Sequence, residues 1–207
     1  MNSTRFCCNR MNFDSTFTKE AADGHTIDYG VLHGSERIVF IKSGRGSTCR
    51  GYEDKYVKMA REIHRKTKST VICASNPMQC AVSYPMDKEM IEEYAASHGF
   101  SQFTLVLIGS SAGAYQNLFL ANSMPQTQKI MCINMPLMIN YHKITRELQA
   151  MQDIEKIFVY GTNDPSYRYL PMLEMKKYDI FRAVCIQGAD HQFTGMLKEF
   201  VLLANFV

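Results

Sequence analysis

Three residues have the types and the order that nucleophilic catalysis needs. Ser111 sits in Gly109-Ser110-Ser111-Ala112-Gly113, a G-x-S-x-G segment closing an apolar run. Asp164 follows a second apolar run, in Gly161-Thr162-Asn163-Asp164-Pro165. His191 follows a third, in Gly188-Ala189-Asp190-His191-Gln192. A serine hydroxyl is a poor nucleophile until a base removes its proton. An imidazole titrates near neutrality, so it can accept that proton and return it to a leaving group. A buried carboxylate fixes the imidazole tautomer and stabilises the imidazolium.

Other residues fit these roles less well. Ser110 occupies the variable position of the pattern and should point away. Asp190 adjoins His191 and would struggle to reach its ring. The segment Asn134-Met135-Pro136-Leu137-Met138-Ile139-Asn140 holds no carboxylate. His64 and His98 fall on expected helices, His25 and His33 in or beside a hairpin, and His142 at a helix start, with no local partner motif.

The elements that must position these residues alternate. Phe17–Ala22 and Thr26–Leu32 read as strands around the turn Asp23-Gly24. Arg37–Lys42 is a short apolar strand, followed by the loop Ser43-Gly44-Arg45-Gly46-Ser47. Tyr52–Lys66 has apolar residues at helical spacing. Thr70–Ala74 is a strand. Asp87–His98 is a helix with Asp87 as its N-cap and Gly99 beyond its end. Thr104–Ile108 is the strand before Ser111, and Ala114–Asn122 the helix after it. Lys129–Asn134 is a strand and Tyr141–Met151 a helix. Lys156–Tyr160 and Phe181–Ile186 are strands, and Thr194–Leu203 forms the last helix. Strands apolar on both faces and separated by helices predict a mostly parallel sheet, covered on both sides. Ligand sites in such sheets lie at the carboxyl ends of the strands.

A G-x-S-x-G elbow between strand and helix, with Asp and then His ending later strands, resembles the α/β-hydrolase family. The resemblance runs from the hairpin to the last helix, over nearly the whole chain. It implies an α/β-hydrolase fold: a mostly parallel central sheet, helices on both faces and an N-terminal antiparallel hairpin. It implies Ser111 as nucleophile, His191 as base and Asp164 as its partner. The backbone N–H of Ala112 would be one oxyanion donor, at a helix N-terminus where the dipole favours negative charge. The second would come from the loop after the third strand. Many members carry His-Gly there, whereas this chain has Ser43-Gly44-Arg45-Gly46. The Arg45 amide is the expected donor, with Gly46 as fallback. His33-Gly34 precedes its strand and so lies at the wrong end of the sheet.

Gly44, Gly46 and Arg168 are further candidates for substrate contact. The Arg45 side chain either projects over the site, where a guanidinium suits a carboxylate or phosphate, or is an ordinary exposed arginine. Only 21 residues separate Asn134 from Lys156, and a helix uses about half of them. That leaves no room for a cap, so the site should be open or shallow. The irregular Ser75–Met86 segment could form one wall. Met78, Met86 and Met135 lie in strand-end loops, although most of the 14 methionines should fill the core.

Length and charge bound the remaining choices. A chain of 207 residues suits one domain, 1–207, with an irregular segment over 1–15. A net charge of +3, without a basic block, gives no reason to expect nucleic acid. No apolar run is long enough for a bilayer, and the N-terminus lacks the apolar stretch of a secretory signal. Cys7-Cys8 could accept a lipid, but no membrane-directed helix accompanies it. Cys73, Cys132 and Cys185 fall in apolar strands, and none of the seven cysteines has zinc spacing. A cytoplasmic protein without metal or cofactor is expected. The expected activity is hydrolysis of a small or acidic ester or thioester. An acyltransferase using the same three residues, or a non-catalytic scaffold that binds a ligand or partner, remain alternatives.

Overall fold

In a computed structural model, residues 12–20, 24–78 and 82–207 are described. Cys7, Cys8 and the turn residue Asp23 lie outside them. Eight strands form one sheet: β1 (Ser15–Glu20), β2 (Thr26–Leu32), β3 (Ser35–Lys42), β4 (Ser69–Ala74), β5 (Thr104–Ser110), β6 (Thr127–Ile133), β7 (Glu155–Gly161) and β8 (Phe181–Ile186). Their order is β1-β2-β4-β3-β5-β6-β7-β8. β1 pairs antiparallel with β2, and β2 antiparallel with β4; every later pairing is parallel. The expected sheet, with its antiparallel start, is present.

Side chains alternate across a strand, so consecutive residues of one apolar run serve two cores. Ile38 and Phe40 of β3, Leu105 and Leu107 of β5, and Phe158 and Tyr160 of β7 enter one cluster. There they meet α2 (Tyr84–Ser97), α3 (Ala112–Ser123), α4 (Tyr141–Ala150) and α5 (Leu170–Glu174) through Ile91, Leu118, Ile144 and Leu173. Val39, Ile41, Val106, Ile108, Ile157 and Val159 enter the other. There they meet α1 (Lys55–Thr67) and α6 (Leu197–Leu202) through Val57, Ile63 and Phe200. Each such fully buried aliphatic or aromatic side chain contributes roughly 1.5–3 kcal/mol.

Three expectations are corrected. α2 begins three residues before Asp87, because Pro85 is tolerated in a first helical turn. Asp87 therefore caps nothing. It is fully buried and paired with Lys42 Nζ at 2.8 Å. The last helix starts at Leu197 rather than Thr194, because Phe193 and Gly195 have φ of 59° and 70°. It also gives way to a 3-10 turn over Leu203–Phe206. Cys185 is exposed rather than interior, since β8 is the edge strand and is only partly covered.

Candidate active site

Ser111 stands between β5 and α3 with φ 54° and ψ −122°. A side chain rarely adopts that backbone region, and holding it there costs about 1–3 kcal/mol. Neighbouring bonds impose it. The Ser111 N–H donates to Ile133 O at 2.8 Å, and its carbonyl accepts from Ala114 N at 3.0 Å and Tyr115 N at 3.3 Å. The flanking glycines answer a need for space. A Cβ on Gly109 would lie 2.3 Å from Ala114 Cα, and one on Gly113 would lie 2.3 Å from Ser43 O. Strand, helix and the β3 loop meet there backbone to backbone.

Three strand ends converge on this elbow. His191 Nε2 is 2.9 Å from Ser111 Oγ, and His191 Nδ1 is 2.5 Å from Asp164 Oδ2. A carboxylate only accepts, so Nδ1 carries the hydrogen and Nε2 is left to accept from the serine hydroxyl. The Asp164 side chain is fully buried, whereas His191 is about one-third exposed. Ser166 N–H donates to Asp164 Oδ1 at 2.7 Å and fixes the other carboxylate oxygen. Such a chain can move a proton from Ser111 to His191 while Asp164 holds the ring.

Amides in the loop after β3 are mostly engaged. Gly44 N–H donates to Tyr56 Oη at 3.2 Å, Gly46 N–H to Asn76 O at 2.7 Å and Ser47 N–H to Gly44 O at 3.0 Å. The Arg45 N–H has no hydrogen-bond partner among the described residues. Ala112 N–H is the first amide of α3, so it precedes the helix's own hydrogen-bond ladder. A Cβ on Gly44 would stand 3.6 Å from Ser111 Cβ, so the loop abuts the serine. The Gly46 amide is already committed and is not a free donor.

Residues beyond the three candidates hold the arrangement. Asn134, fully buried just after β6, donates through Nδ2 to Asp190 O at 3.0 Å and His191 O at 3.1 Å. Its Oδ1 accepts from Gly161 N–H at 2.9 Å. Burial pushes the Tyr56 phenol upward, so Tyr56 stays protonated beneath the β3 loop. Lys55 Nζ donates to Gln192 O at 3.2 Å and lies 5.0 Å from the Phe200 ring centre. Burial lowers its pKa. The Asp190 carboxylate accepts from Thr194 N–H at 2.9 Å and Gln192 N–H at 3.0 Å. Those donors hold it below the usual carboxylate range, Thr194 foremost. Asp190 thus shapes its own loop and does not bind the imidazole. His33 bonds to the Tyr94 hydroxyl, and His64 and His98 bond locally to the carbonyls of Ser69 and Tyr94.

A cavity of about 530 Å³ opens over Ser111 and His191. Arg45, Asn76 and Gln116 line it, as do Tyr115, Pro136, Met138, Ile139 and Pro165. The apolar wall comes from the loop after β6, not from Met78, Met86 or Met135. Met135 is buried in the core, and Met78 is exposed. Arg168 stays outside the lining; its Nε donates to Pro165 O at 3.2 Å and its guanidinium lies over Tyr169. Gly44 and Gly46 are likewise outside the lining. No group of side chains able to hold a metal occurs among the described residues. Nor is any described helix long and apolar enough to cross a membrane.

No protein-family model matches this chain, and no curated protein matches it in sequence. Solved structures match its fold. An alpha-beta serine hydrolase homologue from Coxiella burnetii is similar with TM-score 0.70 at 14% identity, over 93% of this chain and 96% of that one. The esterase domain of a Rhodothermus marinus protein gives 0.68 at 11% identity, over 93% and 95%. An α/β serine hydrolase without lid from Xanthomonas campestris gives 0.64 at 16% identity, over 93% and 92%. With eight strands in this order and a single helix between β6 and β7, the chain has the α/β-hydrolase fold in a small, capless form.

Proposed function

We propose that the protein is a serine hydrolase that cleaves a carboxylic ester or thioester through an acyl-enzyme on Ser111. One observation carries the reading: the unbroken hydrogen-bond chain Asp164–His191–Ser111, at 2.5 and 2.9 Å, facing an open cavity. Ser111 Oγ attacks the carbonyl carbon as His191 Nε2 takes its proton. The carbonyl oxygen becomes an oxyanion beside the Arg45 and Ala112 amides, donors that are worth about 2.7–4 kcal/mol each when removed from such sites. The tetrahedral intermediate collapses, the bond to the leaving oxygen or sulfur breaks, and His191 returns the proton to it. Water then repeats the sequence. It attacks the acyl carbon, gives a proton to His191, and releases the acid as Ser111 Oγ recovers that proton.

The partner in this reading is a small molecule, and an open site favours water as the acyl acceptor. The free thiols Cys49, Cys73, Cys132 and Cys185 fit a reducing setting such as the cytoplasm. Labelling with a fluorophosphonate probe, followed by peptide mass mapping, tests the proposal. One adduct on Ser111, absent in Ser111→Ala and in His191→Ala, is expected. Well-folded wild-type protein that takes no adduct would remove it.

A further inference from the structure

Sheet order gives the cavity two chemically different sides. Arg45 follows β3 and Asn76 follows β4, and both strands lie on one side of β5. Pro136, Met138 and Ile139 follow β6, and Pro165 follows β7, on the other side, together with the uncharged Asn140 and Ser166. His191 reaches Ser111 from that second side, since β8 is the far edge. The polar side carries one cation. Arg45 is exposed, lines the cavity and makes no ion pair among the described residues. The carboxylate that also lines the cavity, Asp164, is already bound to His191. On the apolar side Met138 and Ile139 are 44% and 59% exposed. Apolar side chains beside a few convergent polar groups are the usual lining of a small-molecule site.

Chemistry assigns the two halves of a substrate to the two sides. His191 Nε2 must protonate the leaving oxygen, so the alcohol half lies on the His191 side, against Met138 and Ile139. The acyl half leaves the carbonyl carbon away from the leaving oxygen, and its far end can reach the Arg45 side chain at the polar side of the lining. Resting on the acyl-enzyme reading above, we infer that the substrate is a half-ester of a short dicarboxylic acid with an apolar alcohol. Its free carboxylate pairs with the Arg45 guanidinium. A planar fork of donors suits a carboxylate better than a point charge does. On the alcohol side no lysine or arginine belongs to the lining among the described residues, Arg168 and Lys143 lying behind Pro165 and Tyr115.

Four esters separate the outcomes: monohexyl succinate, hexyl butyrate, monomethyl succinate and the hexanoyl ester of glycolic acid, which carries its anion on the leaving half. The kcat/KM for monohexyl succinate should exceed that for hexyl butyrate about tenfold and that for the glycolate ester by more. Arg45→Gln should collapse the succinate-to-butyrate ratio about tenfold, and Arg45→Lys should restore part of it. Ile139→Ser should lower hexyl esters relative to monomethyl succinate. A preference for the glycolate ester, or a ratio that Arg45→Gln leaves intact, would overturn the inference. So would an enzyme that labels on Ser111 yet cleaves none of the four. Those outcomes leave the serine-hydrolase reading standing, whereas absence of the Ser111 adduct removes both.

Discussion

The side-chain amide of Asn134 holds the main chain of His191: Nδ2 is 3.1 Å from the His191 carbonyl and 3.0 Å from that of Asp190. The same side chain accepts from Gly161 N–H at the end of β7. One buried amide therefore links the strand ends behind His191 and Asp164. Asn134→Ala would leave a buried N–H unpaired, at a cost of about 1–3 kcal/mol. It should also free the histidine loop. A displacement near 1 Å can lower a rate about 100-fold, so kcat and the rate of fluorophosphonate labelling should both fall in protein that is still folded. A variant that melts earlier but labels at the wild-type rate would reduce Asn134 to a structural role.

Tyr56 should act on the oxyanion rather than on binding. Its hydroxyl accepts from the Gly44 amide, one residue before the proposed donor Arg45. Tyr56→Phe removes that anchor and little volume. We expect kcat to fall about tenfold with KM within about twofold, because an oxyanion exists only in the transition state. Steady-state kinetics on a neutral ester gives the split. An increase in KM at constant kcat would show that the loop only binds substrate.

Two glycines near the serine should differ sharply. A Cβ on Gly44 meets nothing closer than 3.6 Å, an ordinary contact. A Cβ on Gly113 would fall 2.3 Å from Ser43 O and 2.5 Å from Lys42 O, both backbone. Gly44→Ala should shift stability by no more than about 0.5 kcal/mol. Gly113→Ala must move the helix or the loop, and should cost about 1–3 kcal/mol. Chemical denaturation of the two variants reads the difference directly.

The Lys42–Asp87 pair is fully buried, with Tyr29 Oη donating to the same carboxylate at 3.0 Å. Asp87→Leu would strand an ammonium in the core and should cost about 3–5 kcal/mol. The double variant Lys42→Met with Asp87→Leu should recover most of that loss, because removing both charges removes the stranded one. A double variant no more stable than the single would mean that the pair contributes more than its desolvation costs.

Acid should loosen the histidine loop. The Asp190 carboxyl is held below its ordinary value of 3.8 by the Thr194 and Gln192 amides. A carboxyl whose folded pKa is depressed stabilises the fold fully above its unfolded value. That contribution is lost as pH falls from 3.8 through the lower folded value. The Tm of wild type should exceed that of Asp190→Asn by a constant margin from pH 7 to 5. The margin should close below about pH 3.8. A margin independent of pH would mean that the carboxylate charge contributes nothing there.

Much of the fold is legible in local pattern, because strands such as Thr104–Ser110 and Glu155–Gly161 are apolar on both faces and end in marked turns. The three candidate residues are legible for the same reason, since each directly follows such a strand. What pattern misses depends on contacts between distant segments. Lys42 closes an apolar strand, and nothing near it announces a carboxylate 45 residues away. Asn134 reads as a strand end until the β7 and β8 loops arrive beside it. Cys185 shares an apolar run with its neighbours, yet a run does not say which strand has only one neighbour. Met138 and Ile139 look like core residues, and only the strand order puts them on the cavity wall.

The Ser111–His191 contact spans 80 residues, and His191 follows the strand that lies at the sheet's far edge. During synthesis, then, the serine elbow emerges from the ribosome 80 residues before His191 does. β8 pairs only with β7, so His191 reaches its place after Ser111 does. Until then the nascent chain carries Ser111 without His191 beside it. In the proposed mechanism, reactivity switches on only once β8 has joined the sheet, and a product truncated before β8 would lack the base for Ser111.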